Sequence, residues 1–323
     1  MNADAPQVAI TSRIFPESIA KLKAAGFRIA YNDSNLPLEP DKLVCFAHNA
    51  KALLVSASTP VNAALIEQLP NLQVIANIGV GYNNIDVAAA AKRGIQVSNT
   101  PDVLTETTAD LAWALLFTAA RRISESERWL REGHWQGLTL DGWLGLDIHS
   151  STLGILGMGR IGSAVARRAQ GFGMRVLYHN RTPLAPDQAN GATWVDKNTL
   201  LSEADHLILV VPYSAQTHHL IGAAELAQMK PSAVLVNIAR GGVVDDVALA
   251  HALAKGQIAA AGIDVFENEP AIAPELLAAP NAVLTPHIGS ATKATRLGMV
   301  NVAVANLLDW HAGQRMRNLI HIS

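Results

Sequence analysis

Three charged residues of complementary chemistry each follow a short apolar run: Arg240 in NIARGGVVDD, Glu269 in GIDVFENEP and His287 in LTPHIGSAT. Such runs read as buried strands of a parallel sheet, and in an open parallel sheet ligands collect beyond the carboxyl ends of the strands. The chemistry this set could run is reduction of a ketone by hydride, which leaves developing negative charge on oxygen. An imidazole, titrating near physiological pH, is suited to supply the proton. A carboxylate behind the ring fixes its tautomer and stabilises the imidazolium. A guanidinium can hold both a substrate carboxylate and the carbonyl oxygen through its fork of donors. Substrate and product carry the same carboxylate, so Arg240 adds to rate only through the carbonyl oxygen. On spacing alone, plainer readings stand ahead of this one: a surface ion pair for Arg240 and Glu269, and a turn histidine for His287.

A cofactor signal lies upstream. Gly157-Met158-Gly159-Arg160-Ile161-Gly162 matches G-x-G-x-x-G, follows the apolar run Leu153–Leu156, and opens a helical pattern carrying Ile161, Ala164, Val165 and Ala169. In that strand-to-helix context the motif predicts a dinucleotide site. Gly157 permits the tight turn, Gly159 lets a pyrophosphate approach the backbone, and Gly162 lets the helix pack closely on the strand. The helix N-terminus offers N–H groups and partial positive charge to the diphosphate. The next strand ends in His179-Asn180-Arg181-Thr182, and no acid occurs until Asp187. An NAD-specific site usually places Asp or Glu near here, to accept from the ribose 2′-hydroxyl. Arg181 instead suits a 2′-phosphate, and the missing carboxylate removes a repulsion. The expected cofactor is NADPH, with NADH as second choice; the plainer reading of Arg181 is a solvated surface charge.

The elements that must position these residues alternate strand and helix along the chain, the signature of βαβ units. Strands are predicted at Val8–Ile10, Arg28–Tyr31, Ala52–Ser56, Val74–Ile78 and Ile95–Val97, then at Leu153–Leu156, Arg175–Tyr178, His206–Val211, Ala233–Asn237, Ala260–Asp264 and Val283–Thr285. Between the two series, Thr105 opens one long helix running to about Arg131, and the Gly- and Trp-bearing stretch Gly133–Ser150 is an extended loop. A last helix, Lys293–Trp310, returns to the first domain. The expected fold is α/β: two Rossmann-like, doubly wound parallel-sheet domains with a cleft between them. The substrate-binding domain is discontinuous, 1–100 plus 290–323, and the dinucleotide-binding domain is 101–289.

Bulk properties bound the partners. Of 323 residues, 50% are hydrophobic and 16% charged, with a net charge of −2. That excludes a disordered chain and a basic field for nucleic acid or an anionic membrane. The single cysteine, Cys45, forms no internal disulfide, and no Cys/His cluster has metal spacing, so no metal is expected. The opening MNADAPQVAI lacks a signal-peptide pattern, and no apolar run is long enough to span a bilayer. A cytoplasmic chain is expected.

The motifs IGVGYNNID, NTPDVLTETTADLA, LGILGMGRIG, NIARGGVVDD, AAGIDVFENEP and LTPHIGSAT, in this order between about Ala52 and Ala305, resemble the D-isomer-specific 2-hydroxyacid dehydrogenase family. Within it the chain looks most like bacterial glyoxylate/hydroxypyruvate reductases and 2-ketogluconate reductases, through VLTETTADL, the Trp-containing loop and HIGSAT. The resemblance implies reduction of small 2-oxo acids to D-2-hydroxy acids. It implies Arg240 as the substrate-binding arginine, Glu269 as the histidine partner and His287 as the acid/base. Backbone N–H groups at Val80 and Gly81 would contact the substrate carboxylate. Thr108 and Asp264 would lie along the cofactor, Arg160 and Ile161 at the diphosphate, and Ile238 and Gly289 beside the nicotinamide. Arg181 departs from the family's commonest pattern, which has an acid there. Glu269, where formate-oxidising relatives carry glutamine, disfavours that branch. The long helix and Trp135 and Trp143 of the loop point to a homodimer. Two competing readings are a nucleotide-sensing module on the same fold, which has no need of an acid/base pair, and a methyltransferase, which leaves Arg181, Glu269 and His287 without joint work.

Overall fold

The computed structural model describes residues 6–34 and 36–321. The first five residues, part of the segment read for a targeting signal, lie outside them. Strands form where aliphatic residues run without interruption, and helices begin where a proline or a capping side chain precedes an amphipathic stretch. In chain order the elements are β1 (Gln7–Ile10), α1 (Pro16–Ala24), β2 (Arg28–Tyr31), α2 (Pro40–Ala47), β3 (Ala52–Ser56), α3 (Ala63–Glu67), β4 (Val74–Ile78), α4 (Val87–Lys92) and β5 (Gln96–Ser98). There follow α5 (Thr105–Ala120), α6 (Ile123–Arg131), β6 (Thr152–Leu156), α7 (Arg160–Ala169), β7 (Arg175–His179), β8 (Thr193–Trp194), α8 (Lys197–Glu203) and β9 (His206–Leu209). The chain closes with α9 (Ala223–Leu226), β10 (Val234–Asn237), α10 (Asp246–Ala254), β11 (Ala260–Ile263), α11 (Pro274–Leu277), β12 (Ala282–Leu284) and α12 (Lys293–His311). Side chains of Asn62, Asp86, Asp196, Asp245 and Thr292 cap α3, α4, α8, α10 and α12.

The chain divides into two compact units, Met1–Leu104 with Ala291–Ser323, and Thr105–Ser290. Among the described residues, the first unit holds a parallel sheet in the order β2-β1-β3-β4-β5 and the second a parallel sheet in the order β12-β11-β10-β9-β6-β7-β8. Both faces of each sheet are covered, so strand residues alternate between two buried clusters. In β9, Leu207 and Leu209 join one cluster and Ile208 the other. Helix α12 presents Val300, Ala303, Val304 and Leu307, at helical spacing, to the cluster of Val8, Ile10, Leu54 and Ala76 in the first unit. The strand order of the second unit reverses between β6 and β9, the switch point at which such sheets hold ligands.

The long helix expected from Thr105 to Arg131 is two helices. Ala120 O accepts from Leu146 N at 2.9 Å, and Arg122 takes a left-handed φ of 54°. The Gly145–Leu146 segment of the loop thus takes a carbonyl that a continuous helix would need for itself. That contact is tertiary and leaves no periodicity signal. Helix α6 then packs on its own loop. The Arg122 guanidinium lies 4.7 Å from the Trp143 ring centroid, and Trp129 meets Trp143 edge-on at 5.2 Å.

Candidate active site

The glycine turn links β6 to α7. Gly157 takes a φ of 104°, and a Cβ on Gly162 would stand 2.3 Å from Gly157 O. Only glycine at both positions lets α7 sit this close to the strand end. Over Gly159 the space is open, as approach of a phosphate to the backbone requires. Arg160 and Ile161 form the first turn of α7, whose N–H groups begin at that opening. Asn180, at the end of β7, accepts from Met158 N at 2.6 Å and fastens the turn to the neighbouring strand. Arg181, next along, is exposed and makes no side-chain hydrogen bond or ion pair among the described residues. Turn and helix end together fit the diphosphate of a dinucleotide.

Asp264 follows β11 and is 1% exposed. Its carboxyl accepts from Thr285 Oγ1 at 2.7 Å, Ile288 N at 2.7 Å and Gly289 N at 2.9 Å. Burial pushes this carboxyl up, against the pull of those donors and of His287. One buried acid therefore fixes the whole segment after β12. A Cβ on Gly289 would lie 3.3 Å from Asp264 Oδ2 and 3.4 Å from Thr108 Cγ2, so Thr108, Asp264 and Gly289 meet at one place. Helix α5, which carries Thr108, is tied to α7 by Arg168, bonded to Glu106 at 2.8 Å and Asp110 at 2.6 Å.

His287 sits in that segment with a left-handed φ of 51°. Its N–H is held by Asp264 O at 2.9 Å and Thr285 O at 3.0 Å. A left-handed conformation is costly for a residue bearing a Cβ and persists where neighbours over-determine it. The ring is aimed by it: Nδ1 lies 2.8 Å from Glu269 Oε2. Burial pulls the Glu269 carboxyl upward. The His287 hydrogen bond and charge, Phe266 N–H at 3.0 Å and the Arg240 charge outweigh it, and hold the group below the usual carboxylate range. An ionised carboxylate only accepts, so Nδ1 carries the hydrogen, leaving Nε2 as the ring atom available for proton exchange.

Arg240 follows β10 and is half-buried. Burial lowers its affinity for a proton and the Glu269 charge raises it; a guanidinium stays charged through this. Asn237 shapes its loop, accepting from Ala239 N at 3.0 Å through Oδ1 and donating to Arg240 O at 3.3 Å through Nδ2. Ile238, between them, is buried at 6% exposure. Next to Arg240 the backbone touches the Phe266–Glu267 peptide so closely that a Cβ on Gly241 would stand 1.7 Å from Phe266 O. That contact brings the Arg240 loop onto the segment bearing Glu269. Gly241→Ala should cost roughly 1–3 kcal/mol or more, as overpacking against backbone does, and depress kcat by displacing Arg240 from Glu269. Thermal melting together with steady-state turnover checks this; an unchanged Tm would show that the contact is not tight.

Val80 and Gly81 belong to the first unit, in the turn after β4. Gly79 O and Gly81 O both accept from Asn77 Nδ2, at 3.3 and 2.9 Å, and Val80 O accepts from Asn99 Nδ2 at 2.8 Å. Across a planar trans peptide the N–H points opposite to the carbonyl. Pinning these carbonyls therefore turns the N–H groups of Val80, Gly81 and Tyr82 away from the asparagines. Asn84 ties this turn to the one after β3, donating to Ser56 O at 3.2 Å and Thr59 O at 3.1 Å.

Asn77, Asn99, Asn180 and Asn237 were not singled out by sequence reasoning. Each sits within one or two residues of a strand end, which is the signal that could have found them. Histidines outside this set have partners of their own. His134 lies 3.2 Å from Glu132, His149 lies 3.7 Å from Asp147, and His311 packs on Phe27 at 4.6 Å. His179 Nδ1 meets Val195 O at 2.8 Å.

Comparison with known proteins places this geometry. Residues 113–289 match the NAD binding domain of the D-isomer specific 2-hydroxyacid dehydrogenase family. The glyoxylate reductase of Thermococcus onnurineus is 42% identical over 322 residues, covering 98% of this chain and 96% of that protein. Among solved structures, a protein of Thermus thermophilus superposes with a TM-score of 0.91 at 40% identity, over 98% of this chain and all of that one. An NADPH-dependent glyoxylate/hydroxypyruvate reductase from Sinorhizobium meliloti, in complex with NADP and malonate, does so with a TM-score of 0.88 at 36% identity, over 98% and 97%. Similarity of this degree along almost the whole length, together with the domain match, means that the chain belongs to the D-isomer specific 2-hydroxyacid dehydrogenase family.

Proposed function

We propose that this protein reduces small 2-oxo acids of the glyoxylate, hydroxypyruvate and 2-ketogluconate class to D-2-hydroxy acids, with NADPH preferred over NADH. The observation that carries this reading is the 2.8 Å contact from His287 Nδ1 to an ionised Glu269 beside Arg240. When bound, the nicotinamide cofactor supplies the hydride to the carbonyl carbon. Glu269 steadies the charged ring, and His287 delivers its Nε2 proton to the carbonyl oxygen. Arg240 holds the carboxylate and supports the charge that develops on that oxygen. In this reading the N–H groups of Val80 and Gly81 also receive the carboxylate. Gly157, Gly159, Arg160, Ile161 and Gly162 take the diphosphate, and Thr108, Ile238, Asp264 and Gly289 border the nicotinamide.

The NADPH preference rests on Arg181, which has no competing partner among the described residues, and is supported by the NADP bound to the Sinorhizobium relative. Steady-state rates with glyoxylate, hydroxypyruvate and 2-ketogluconate, each with NADPH and NADH, test the proposal. Arg181→Asp should move the preference toward NADH by about ten- to a hundredfold, the equivalent of roughly 1.5–3 kcal/mol for a charged hydrogen bond. An unchanged ratio would remove Arg181 from the cofactor site. Absence of any 2-oxo acid-dependent NADPH oxidation would favour the nucleotide-sensing alternative. The reading includes a homodimer, since Trp135, Leu138 and Leu140 stand 61%, 90% and 94% exposed in one loop; a monomeric mass in solution contradicts it. It also takes the chain as cytoplasmic, where the exposed thiol of Cys45 stays reduced.

A further inference from the structure

Two adjacent histidines in the loop after β9 and one acid after β11 come together away from the His287 pair. We propose that His218, His219 and Glu267 form a binding site for one divalent transition-metal ion of the zinc class. The fold brings side chains 48 positions apart in sequence within reach: His219 Nε2 lies 3.1 and 3.2 Å from the two Glu267 oxygens, and His218 Nε2 lies 4.0 Å from Oε1. One donor atom from each residue can be chosen so that all lie within 4.8 Å of one another. Tetrahedral zinc with bonds of about 2.0–2.2 Å needs ligand atoms roughly 3.3–3.6 Å apart. The two histidine–carboxylate separations bracket that value, within reach of side-chain rotation.

The far side of each ring carries the support that metal-binding imidazoles require. Tyr213 OH lies 3.2 Å from His218 Nδ1, and Asp245 Oδ2 lies 3.8 Å from His219 Nδ1. Both Nε2 atoms face Glu267. The rings stack at 3.9 Å with an angle of 23° between planes, which keeps the two nitrogens side by side. The backbone is equally constrained. His219 has a left-handed φ of 48°, and its N–H donates to Gly242 O at 2.7 Å. A Cβ on Gly242 would press on the Tyr213 ring at 3.0 Å and on His218 Nδ1 at 3.4 Å. Charge favours a cation as well. Asp245 and Asp246 stand beside Glu267, and Asp246 Oδ2 accepts from Glu267 N at 3.1 Å. A plain His219–Glu267 surface pair would explain one of the two imidazoles and leave His218 turned to the same carboxylate to no purpose.

Two imidazoles and a carboxylate select zinc-class ions over magnesium and calcium, which prefer all-oxygen sites. Three protein ligands leave a fourth position for water or a ligand atom. An ion here would also tie the loop after β9 to the turn that carries Glu269, because Phe266 N–H holds Glu269 Oε1.

The test uses the full-length chain, free of any histidine tag and stripped with a chelator, titrated with zinc by calorimetry at neutral pH in a non-coordinating buffer. The expected result is one ion per chain, unaffected by millimolar magnesium, with affinity reduced about tenfold or more in His218→Ala, His219→Ala and Glu267→Gln. His218→Gln, which keeps the size of the side chain, should weaken binding as well if the alanine variant fails to fold. No stoichiometric binding, or binding unchanged in both histidine variants, overturns the proposal.

Discussion

Replacing His287 by alanine should lower kcat for 2-oxo acid reduction by about 10²–10⁴-fold, the usual contribution of a positioned general acid, while NADPH binding is retained. In the proposed mechanism the cofactor-binding residues do not depend on the ring, and His287 supplies only the proton at Nε2. Because its backbone is left-handed, alanine there adds strain to the lost chemistry. His287→Asn separates the two, since asparagine tolerates that conformation. Equal losses in both variants, with NADPH fluorescence titrations superimposable on the wild type, identify the loss as chemical. Full activity in either would remove His287 from the reaction. The pH dependence follows from the partner. Glu269 has a folded-state value below its unfolded one, so its contribution to stability is present above the unfolded value and lost as pH falls through the folded one. Reduction should therefore fail on the acid side where Glu269 takes a proton and releases Nδ1.

Arg240→Ala should cost more in kcat/KM than in kcat alone, with a combined loss on the order of 10³-fold or greater. The side chain is asked to bind the carboxylate in both ground and transition states, which sets KM, and to meet charge growing on the carbonyl oxygen, which sets kcat. Arg240→Lys keeps the charge but not the fork, so it should recover part of the rate and less of the binding. Removing the guanidinium also deletes one of the influences that lower the Glu269 carboxyl, so the acid limb should move to higher pH in the alanine variant. KM and kcat both within about twofold of wild type would contradict the role, since even a single lost charged hydrogen bond exceeds that.

The central strands of both units were legible because they are buried on both faces and read as aliphatic runs, and the glycine turn because its constraints are local. Gly157 and Gly162 act within one strand-to-helix connection. Arg240, Glu269 and His287 could be placed after strands β10, β11 and β12 from the sequence, and the roles proposed for them came from the family resemblance. What escaped was tertiary. The break at Arg122 depends on Leu146 reaching Ala120 O, and no periodicity in either segment encodes it. Asn77 turns the peptides after β4 by bonding carbonyls ahead of it, and a lone asparagine at a strand end does not announce its acceptors. His218 and His219 lie 49 and 48 positions from Glu267, so no local spacing brings the three together. The two-residue strand β8, lying at the sheet edge, is too short to show any alternation.

The most direct measurement follows the transferred hydrogen itself. With NADPH deuterated at both C4 positions, glyoxylate should yield glycolate carrying one deuterium on C2, seen by mass spectrometry. The same experiment with hydroxypyruvate should yield D-glycerate labelled at C2. Product without label, or no product from any 2-oxo acid while NADPH remains bound, would contradict hydride transfer at this site.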